Sequence, residues 1–392
     1  MRPLDGVTVV ALEQAVAAPF ATRQMADWGA RVIKVERPGE GDFARRYDRA
    51  VRGLSSYFVW LNRGKESLTL DLKSAVGRRV LGRLLARADV LVENLAPGAT
   101  DRLGLTDAEL RRRYPRLVVC HVTGYGRSGP YAQRKAYDLL VQCETGVASL
   151  TGTPAEAVRV GTPVADIAAG MYGLVGVLLG LRQREATGEG TIVDVSMLDG
   201  LGEWLGHALY YTLYGGEAPP RAGLHHATIA PYGPYESADG DAVYVAVQNE
   251  REWRRLCTEV VGRPDLAEEP RFADNPRRVR NRQALDAVVA PLLRTLGGDE
   301  LRRRLDRAGI ARADLNGMRE FAEHPQLAAR DRWREVMTPA GSVRALLPPV
   351  SLLGAEPVMG DVPALGAQGE RVLREIGLET PEIDAWRAEV GG

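Results

Sequence analysis

Five short apolar runs, each followed by an amphipathic helical pattern, restrict the first third of this chain to one kind of architecture. The runs are VTVVAL (7–12), RVIKVE (31–36), SLTLDL (67–72), DVLVEN (89–94) and LVVCHVTGY (117–125). Between them, Val76, Val80, Leu81, Leu84 and Leu85 share one face of a helix opening near Ser74, and Thr106 with Glu109 spells a capping box. Strands that alternate with helices bury both faces of a sheet only when they run parallel and the helices cover them. The expected fold is α/β, a Rossmann-like doubly wound parallel sheet that binds ligands at the carboxyl ends of its strands.

The rest of the chain changes texture. Helical patterns occupy 137–148 and 166–184, TIVDVSM (191–197) reads as a strand, and a helix follows at 198–213. GGEAPPRAGLHHATIAPYGPY (215–235) has no helical period and reads as a linker and flap. A strand at 242–249 and helices at 250–261, 281–296 and 299–308 suggest a smaller α+β domain. Beyond 324 come a helix, the Pro-rich LLPPVSLLG (346–354) and two short helices. The expected organisation is a large domain over 1–214, the linker and flap 215–235, a small domain 236–315, and a return segment 316–392 that completes the large domain.

Basic and acidic side chains balance at 51 each, so no overall field favours nucleic acid or anionic lipid. No continuous apolar run approaches the roughly 20 residues of a bilayer span, and MRPLDGVTVVALE lacks the pattern of a signal peptide. Cys120, Cys143 and Cys257 are scattered without a CxxC pair, and the five histidines show neither HExxH nor HxH spacing. The expectation is a cytoplasmic protein without a metal site. Of the 51 basic residues only four are lysine, Lys34, Lys65, Lys73 and Lys135, against 47 arginines. Where arginine serves almost everywhere, a retained lysine points to a place that needs a compact ammonium, such as an anion site.

The first strand–helix turn, QAVAAP (14–19), lacks the G-x-G-x-x-G that lets a dinucleotide pyrophosphate approach the backbone, which disfavours a nicotinamide cofactor. Glu36 ends the second strand, where an acid can bind a ribose or simply face solvent. Arg37, Lys73, Asn94, Arg102 and Lys135 recur near strand ends and suit a ligand with several phosphates; Leu70 and Leu72 add apolar surface. Asp166 is the only ionisable residue between Arg159 and Tyr172, at the start of a helix with Gly170, Gly173, Gly176 and Gly180 at helical spacings. It can cap the helix, or serve as a carboxylate nucleophile in a water-poor setting. Arg221, His225, His226 and Tyr232 in the 215–235 segment can receive a carboxylate. Cys120 and His121 are neighbours on one strand, so they point to opposite faces and cannot act as a pair.

PLDGVTVVAL (3–12), GARVIKVERPGEGD (29–42), LNRGKESLTLDLKS (61–74), VENLAPG (92–98), GYGRSGPY (124–131), KAYDLLVQ (135–142), SLTG (149–152), Asp166-x-x-x-Gly170, HPQLAARDRWREV (324–336) and PALG (363–366) occur in order along nearly the whole chain. Together they resemble the class III CoA-transferases, the family of formyl-CoA transferase and carnitine CoA-transferase. By that likeness Asp166 matches the catalytic aspartate. Val16, Arg37, Leu70, Lys73, Asn94, Arg102, Lys135 and Tyr137 match positions that contact CoA. Val16 stands where formyl-CoA transferases carry a functional glutamine, their Gly-rich flap motif is absent, and RAGLHHATIAPYGPY (221–235) looks more like the branch acting on C5 dicarboxylates (mesaconate, itaconate, citramalate). A racemase branch has histidine where this chain has Tyr137. GIARADLN (309–316) and AQG (367–369) also depart from the usual family versions.

The resemblance implies an interlocked homodimer that uses coenzyme A as a substrate, with acyl-CoA and carboxylic acid partners and no permanently bound cofactor. It implies CoA transfer through aspartyl-anhydride and aspartyl-CoA intermediates, succinyl-CoA being the expected donor. The alternatives are a 2-methylacyl-CoA racemase on the same scaffold, an NAD-linked oxidoreductase, and a non-catalytic CoA-binding protein.

Overall fold

The structure is a computed structural model, and it describes residues 1–390. A six-stranded, wholly parallel sheet is built from β1 (Thr8–Leu12), β2 (Arg31–Glu36), β3 (Lys65–Thr69), β4 (Val90–Glu93), β5 (Val118–Thr123) and β6 (Ile192–Ser196). Its order is β3-β2-β1-β4-β5-β6, the doubly wound arrangement expected from the alternating runs. The order reverses between β1 and β4, so the loops leaving those strands flank the crevice where such sheets bind ligands.

The two-residue period of the strands divides the core. Val10 and Leu12, Ile33 and Val35, Leu68, Leu91 and Val119 pack on one face against Val80, Leu81, Leu84 and Leu85 of the helix Ala75–Leu85. Ser74 caps that helix by accepting the Gly77 N–H at 2.8 Å. The C-terminal helices join the same cluster through Val372, Leu373, Ile383 and Trp386, and the Trp386 indole donates to the Thr69 carbonyl at 2.7 Å.

The opposite face carries the helices Ala17–Asp27 and Val164–Thr187. A methyl group added at Gly176 would stand 2.4 Å from Val193 Cγ1, and one at Gly180 would stand 2.8 Å from Val118 Cγ1. The regularly spaced glycines therefore seat the long helix directly on β5 and β6. By length and composition this helix could cross a membrane, contrary to the expectation from continuous apolar runs. That expectation counted runs and overlooked how far Gly and Ala extend an apolar helix.

The chain divides into two compact units. The first holds residues 1–145, 161–205 and the described residues from Ala328 onward. The second holds Gly146–Val160 and Gly206–Leu327, with an antiparallel sheet of β7 (Tyr232–Glu236), β8 (Ala242–Ala246) and β9 (Ala311–Asp314). Its core packs Trp253, Phe272, Leu285, Val289, Leu301 and Leu305. These boundaries differ from the expected 214/215 and 315/316. Segment 146–160 joins the second unit because Arg221 donates to the carbonyls of Ser149, Thr153 and Pro154, and Gly223 N–H donates to the Gly152 carbonyl. Within the first unit, β10 (Trp333–Thr338) and β11 (Gly341–Leu346) form a hairpin where only a helix and a Pro-rich stretch were expected. Residues 391 and 392 of the expected return segment lie outside the described residues.

Candidate active site

Asp166 sits in the first turn of Val164–Thr187, yet it does not cap the helix. The N-cap position is Pro163, and the amide of Ala165 donates instead to Asp138 Oδ1 at 2.8 Å. Asp138 also accepts from Gln142 Nε2 at 2.7 Å, so its carboxylate is held in place from two sides. The carboxyl of Asp166 accepts no side-chain or backbone hydrogen bond among the described residues. Although the residue keeps a partial opening to solvent, burial of the carboxyl and then the negative charge of Asp138 push its pKa up to about 7. A helix N-terminus favours an anion at this position, but here burial outweighs it. The result is a carboxylate with unoccupied lone pairs, as a nucleophile requires.

One turn further along, Gly170 brings the backbone of the first helix close: an added Cβ would lie 2.5 Å from the Ala17 carbonyl oxygen and 3.1 Å from Phe20 Cβ. Gly173 faces Ala21 in the same way, at 3.8 Å. The start of the first helix therefore packs on the long helix one turn beyond Asp166. Tyr47 completes the surroundings. Its hydroxyl pKa is raised by burial, then by the charges of Asp42 and Asp166, with Tyr137 also contributing. Tyr47 belongs to a run of edge-on aromatic contacts with Phe43, Tyr57, Trp60 and Phe20. Sequence reasoning missed both Tyr47 and Asp138. The available signals were an aromatic residue in the charged RRYDR segment, and an acid next to Tyr137.

The eight positions matched to CoA contacts all follow strand carboxyl ends. Val16 lies after β1, Arg37 after β2, Leu70 and Lys73 after β3, Asn94 and Arg102 after β4, and Lys135 and Tyr137 after β5. Arg37, Lys73, Arg102, Lys135 and Tyr137 are exposed and can meet a ligand with their side chains. Val16 and Leu70 are buried, and Leu70 belongs to the core cluster. Both amide groups of Asn94 are spent on one peptide: Oδ1 accepts from Gln14 N–H and Nδ2 donates to the Gln14 carbonyl, each at 2.8 Å. Asn94 thus pins the loop after β1, which leads into the helix packed on Gly170.

Two sequence expectations need correction here, and one holds. Glu36 is neither a ribose ligand nor a solvated strand end. It is buried, and Arg45, Ser67 Oγ and the Asp42 N–H bind it. Burial would raise its pKa, but the Arg45 guanidinium and Lys34 outweigh that and hold it at about 2. Lys34 and Lys65 are not anion-ligand sites at the surface either. Both are fully buried: Lys34 pairs with the chain's own Glu13 and Asp42, and Lys65 with Glu13. Lys73 and Lys135 remain exposed at the ligand edge. Cys120 and His121 do face opposite ways. The Cys120 thiol lies against the Gly173 carbonyl, while His121 bridges Glu93 at 2.5 Å and Asp107 at 3.0 Å.

In the second unit, Arg221, His225, His226 and Tyr232 share one folded loop. Arg282 fastens it, donating to the carbonyls of His226 at 2.9 Å and Tyr232 at 3.0 Å, with His225 Nδ1 3.4 Å away. His226 stacks on Tyr232 with ring centroids 5.1 Å apart. Burial and then the charge of Arg282 lower the pKa of both histidines, so they are neutral near pH 7. Arg221 has three of its donors on backbone carbonyls, as described above. Arg282 was not anticipated, because nothing in the sequence ties position 282 to position 225.

The family model for CoA-transferase family III matches residues 4–369. The chain belongs to this family. An acetyl-CoA:oxalate CoA-transferase from Acetobacter aceti is 36% identical, covering 95% of each chain. A succinyl-CoA:mesaconate CoA-transferase from Haloarcula marismortui is 32% identical over 97% of this chain and 98% of its own. Among solved structures, a CaiB/BaiF family protein from Brucella suis superposes with a TM-score of 0.83 at 34% identity, covering 96% of this chain and 99% of the other. As a class III CoA-transferase, the protein uses CoA thioesters as substrates, and the strand-end residues above are this chain's own candidates for holding them.

Proposed function

We propose that this class III CoA-transferase moves CoA between an acyl-CoA and a C4–C5 dicarboxylate of the succinate, mesaconate, itaconate or citramalate type, with Asp166 as the nucleophile. The observation that carries this reading is the Asp166 carboxyl itself: buried, without a hydrogen-bond donor, and raised to about 7. A protein that only bound CoA would gain nothing from a carboxylate kept in such a place.

The chemistry needs no external energy. Asp166 attacks the thioester carbonyl, the C–S bond breaks, and CoA leaves as thiolate from a mixed aspartyl anhydride. The thiolate then attacks the aspartyl carbonyl, releasing the first acid as its carboxylate and leaving an aspartyl-CoA thioester. The acceptor carboxylate attacks that thioester and expels the thiolate again. Finally the thiolate attacks the acceptor's carbonyl in the new anhydride, which yields the new acyl-CoA and frees Asp166. No proton is gained or lost in the cycle. Each intermediate is exposed to hydrolysis, so burial of the carboxyl protects as well as activates it.

Arg37, Lys73, Arg102 and Lys135 take the phosphates of CoA in this reading, and Tyr137 lies beside the thioester. Val16, Leu70 and Asn94 shape the floor. Arg221, His225, His226 and Tyr232 receive the distal carboxylate of the acid. The functional form is an interlocked homodimer in the cytoplasm. Incubation with succinyl-CoA and oxalate, mesaconate, itaconate, citramalate or glutarate, with products read by mass spectrometry, tests the specificity. Preferred transfer to a C5 acid supports it, and preferred transfer to oxalate overturns it. Exchange of the substrate's α-proton without transfer would instead reveal a racemase.

A further inference from the structure

Beneath the loop after β1 lies a cluster of charged side chains that the reaction as written does not use. Lys65 Nζ donates to Glu13 Oε1 at 2.6 Å, to the Pro19 carbonyl at 3.1 Å and to Asn62 Oδ1 at 3.1 Å. Lys34 Nζ donates to Glu13 Oε1 at 3.3 Å and to Asp42 Oδ2 at 2.8 Å. Thr22 Oγ1 donates to Glu13 Oε2 at 2.6 Å. The side chains of Glu13, Lys34, Lys65 and Asp42 are all fully buried, and their formal charges cancel.

The other Asp42 oxygen, which also accepts the Ala44 N–H at 2.9 Å, points at the loop. Asp42 Oδ1 accepts the Ala15 N–H at 3.0 Å, and Ala15 adopts φ 63°, a left-handed conformation that alanine rarely takes without compulsion. Asn94 holds the preceding residue from the other side, as described above. The loop then enters the helix Ala17–Asp27 without a side-chain cap, and the Ala17 carbonyl at the start of that helix packs against Gly170, one turn after Asp166.

Two arguments separate this cluster from an ordinary core. A buried ionic network is a costly way to gain stability, since apolar residues of similar volume do as well or better. And two of the chain's only four lysines are spent here, where each compact ammonium turns its donors to groups on different sides, a geometry a planar guanidinium fork does not share. We propose that Glu13, Lys34, Lys65 and Asp42 are positioning residues for the transfer: through Asp42 they fix the Gln14–Val16 backbone, which leads into the helix start packed one turn beyond the nucleophile. They touch no reacting atom. The inference rests on the reading of Asp166 as nucleophile and adds to it the groups that set its surroundings.

The test uses the charge-balanced double variant K34M/D42N. The amide oxygen introduced by D42N can still accept the Ala15 and Ala44 N–H groups, but its ionic anchor to Lys34 is gone. The expected result is a folded protein whose kcat falls roughly 10- to 100-fold while KM for the acyl-CoA stays within about threefold, because binding is kept and alignment is lost. A folded variant with wild-type kcat overturns the inference. If the pair does not fold, hydrogen exchange in the wild-type protein decides: slow exchange across residues 13–19 supports a clamped loop, and exchange at the rate of a free loop overturns it. Failure of the underlying reading shows separately, as wild-type turnover without any adduct on Asp166.

Discussion

Asp138→Asn isolates the second cause of the Asp166 shift. The substitution keeps the shape and an oxygen for the Ala165 N–H, so the helix start should survive. It removes the negative charge that, after burial, raises Asp166 from 3.8 to about 7. Burial is the larger cause, so most of the shift remains, and removing the like charge lowers the pKa by roughly one unit, or about 1.4 kcal/mol. The nucleophile must be ionised, so kcat/KM rises with pH through the Asp166 pKa of the free enzyme. At pH 6 a group with a pKa near 7 is about one-tenth ionised, and one near 6 is about half ionised; D138N should therefore gain about fivefold in relative kcat/KM at pH 6. The assay is initial-rate CoA transfer from pH 5 to 9, each profile scaled to its own alkaline plateau. An unmoved midpoint, or one displaced to higher pH, refutes the electrostatic account of Asp166.

Other perturbations probe the remaining parts. Asp166→Asn should melt above the wild type at pH 8 and converge with it below pH 4, because an acid with a raised folded-state pKa destabilises the native protein only once it ionises. Gly176→Ala should cost about 1–3 kcal/mol in chemical denaturation, since its methyl would stand 2.4 Å from Val193. Gly202→Ala, with open space around it inside the helix Met197–Trp204, should be neutral or slightly stabilising. Lys73→Ala and Lys135→Ala should each raise KM for the acyl-CoA roughly fivefold, with a dependence on salt, and leave kcat unchanged. His225→Ala should raise KM for the acceptor acid roughly tenfold and leave KM for the acyl-CoA unchanged, as expected for a group that binds the acid before and during reaction alike.

The strands were legible because their signal is local. Each apolar run is short, is bounded by turn residues, and alternates with a helix that has one clear apolar face, so six strands of the main sheet could be read in place. The glycines of the long helix were legible for the same reason, since their spacing alone shows a face able to approach a neighbour. What escaped depends on contacts between distant residues. Lys34 and Glu36 look like ligand groups until the loop carrying Asp42 and Arg45 folds back onto them, and Lys65 does so until Glu13, the Pro19 carbonyl and Asn62 enclose it. Asp138 lies 28 residues before Asp166 in the sequence yet caps the nucleophile's helix through Ala165. Segment 146–160 reads as a continuation of the first unit, and only the Arg221 guanidinium reveals that it folds with residues 206–327. The hairpin at 333–346 was hidden by its charged residues, because Arg334, Glu335 and Arg344 interrupt its apolar pattern.

The most direct measurement traps the enzyme during turnover. The protein is mixed with an acyl-CoA and an acceptor acid, quenched with hydroxylamine or borohydride, digested, and its peptides are weighed. The account predicts a hydroxamate or reduced side chain at Asp166 that depends on acyl-CoA and disappears in Asp166→Asn. Sustained transfer with Asp166 never modified would contradict it.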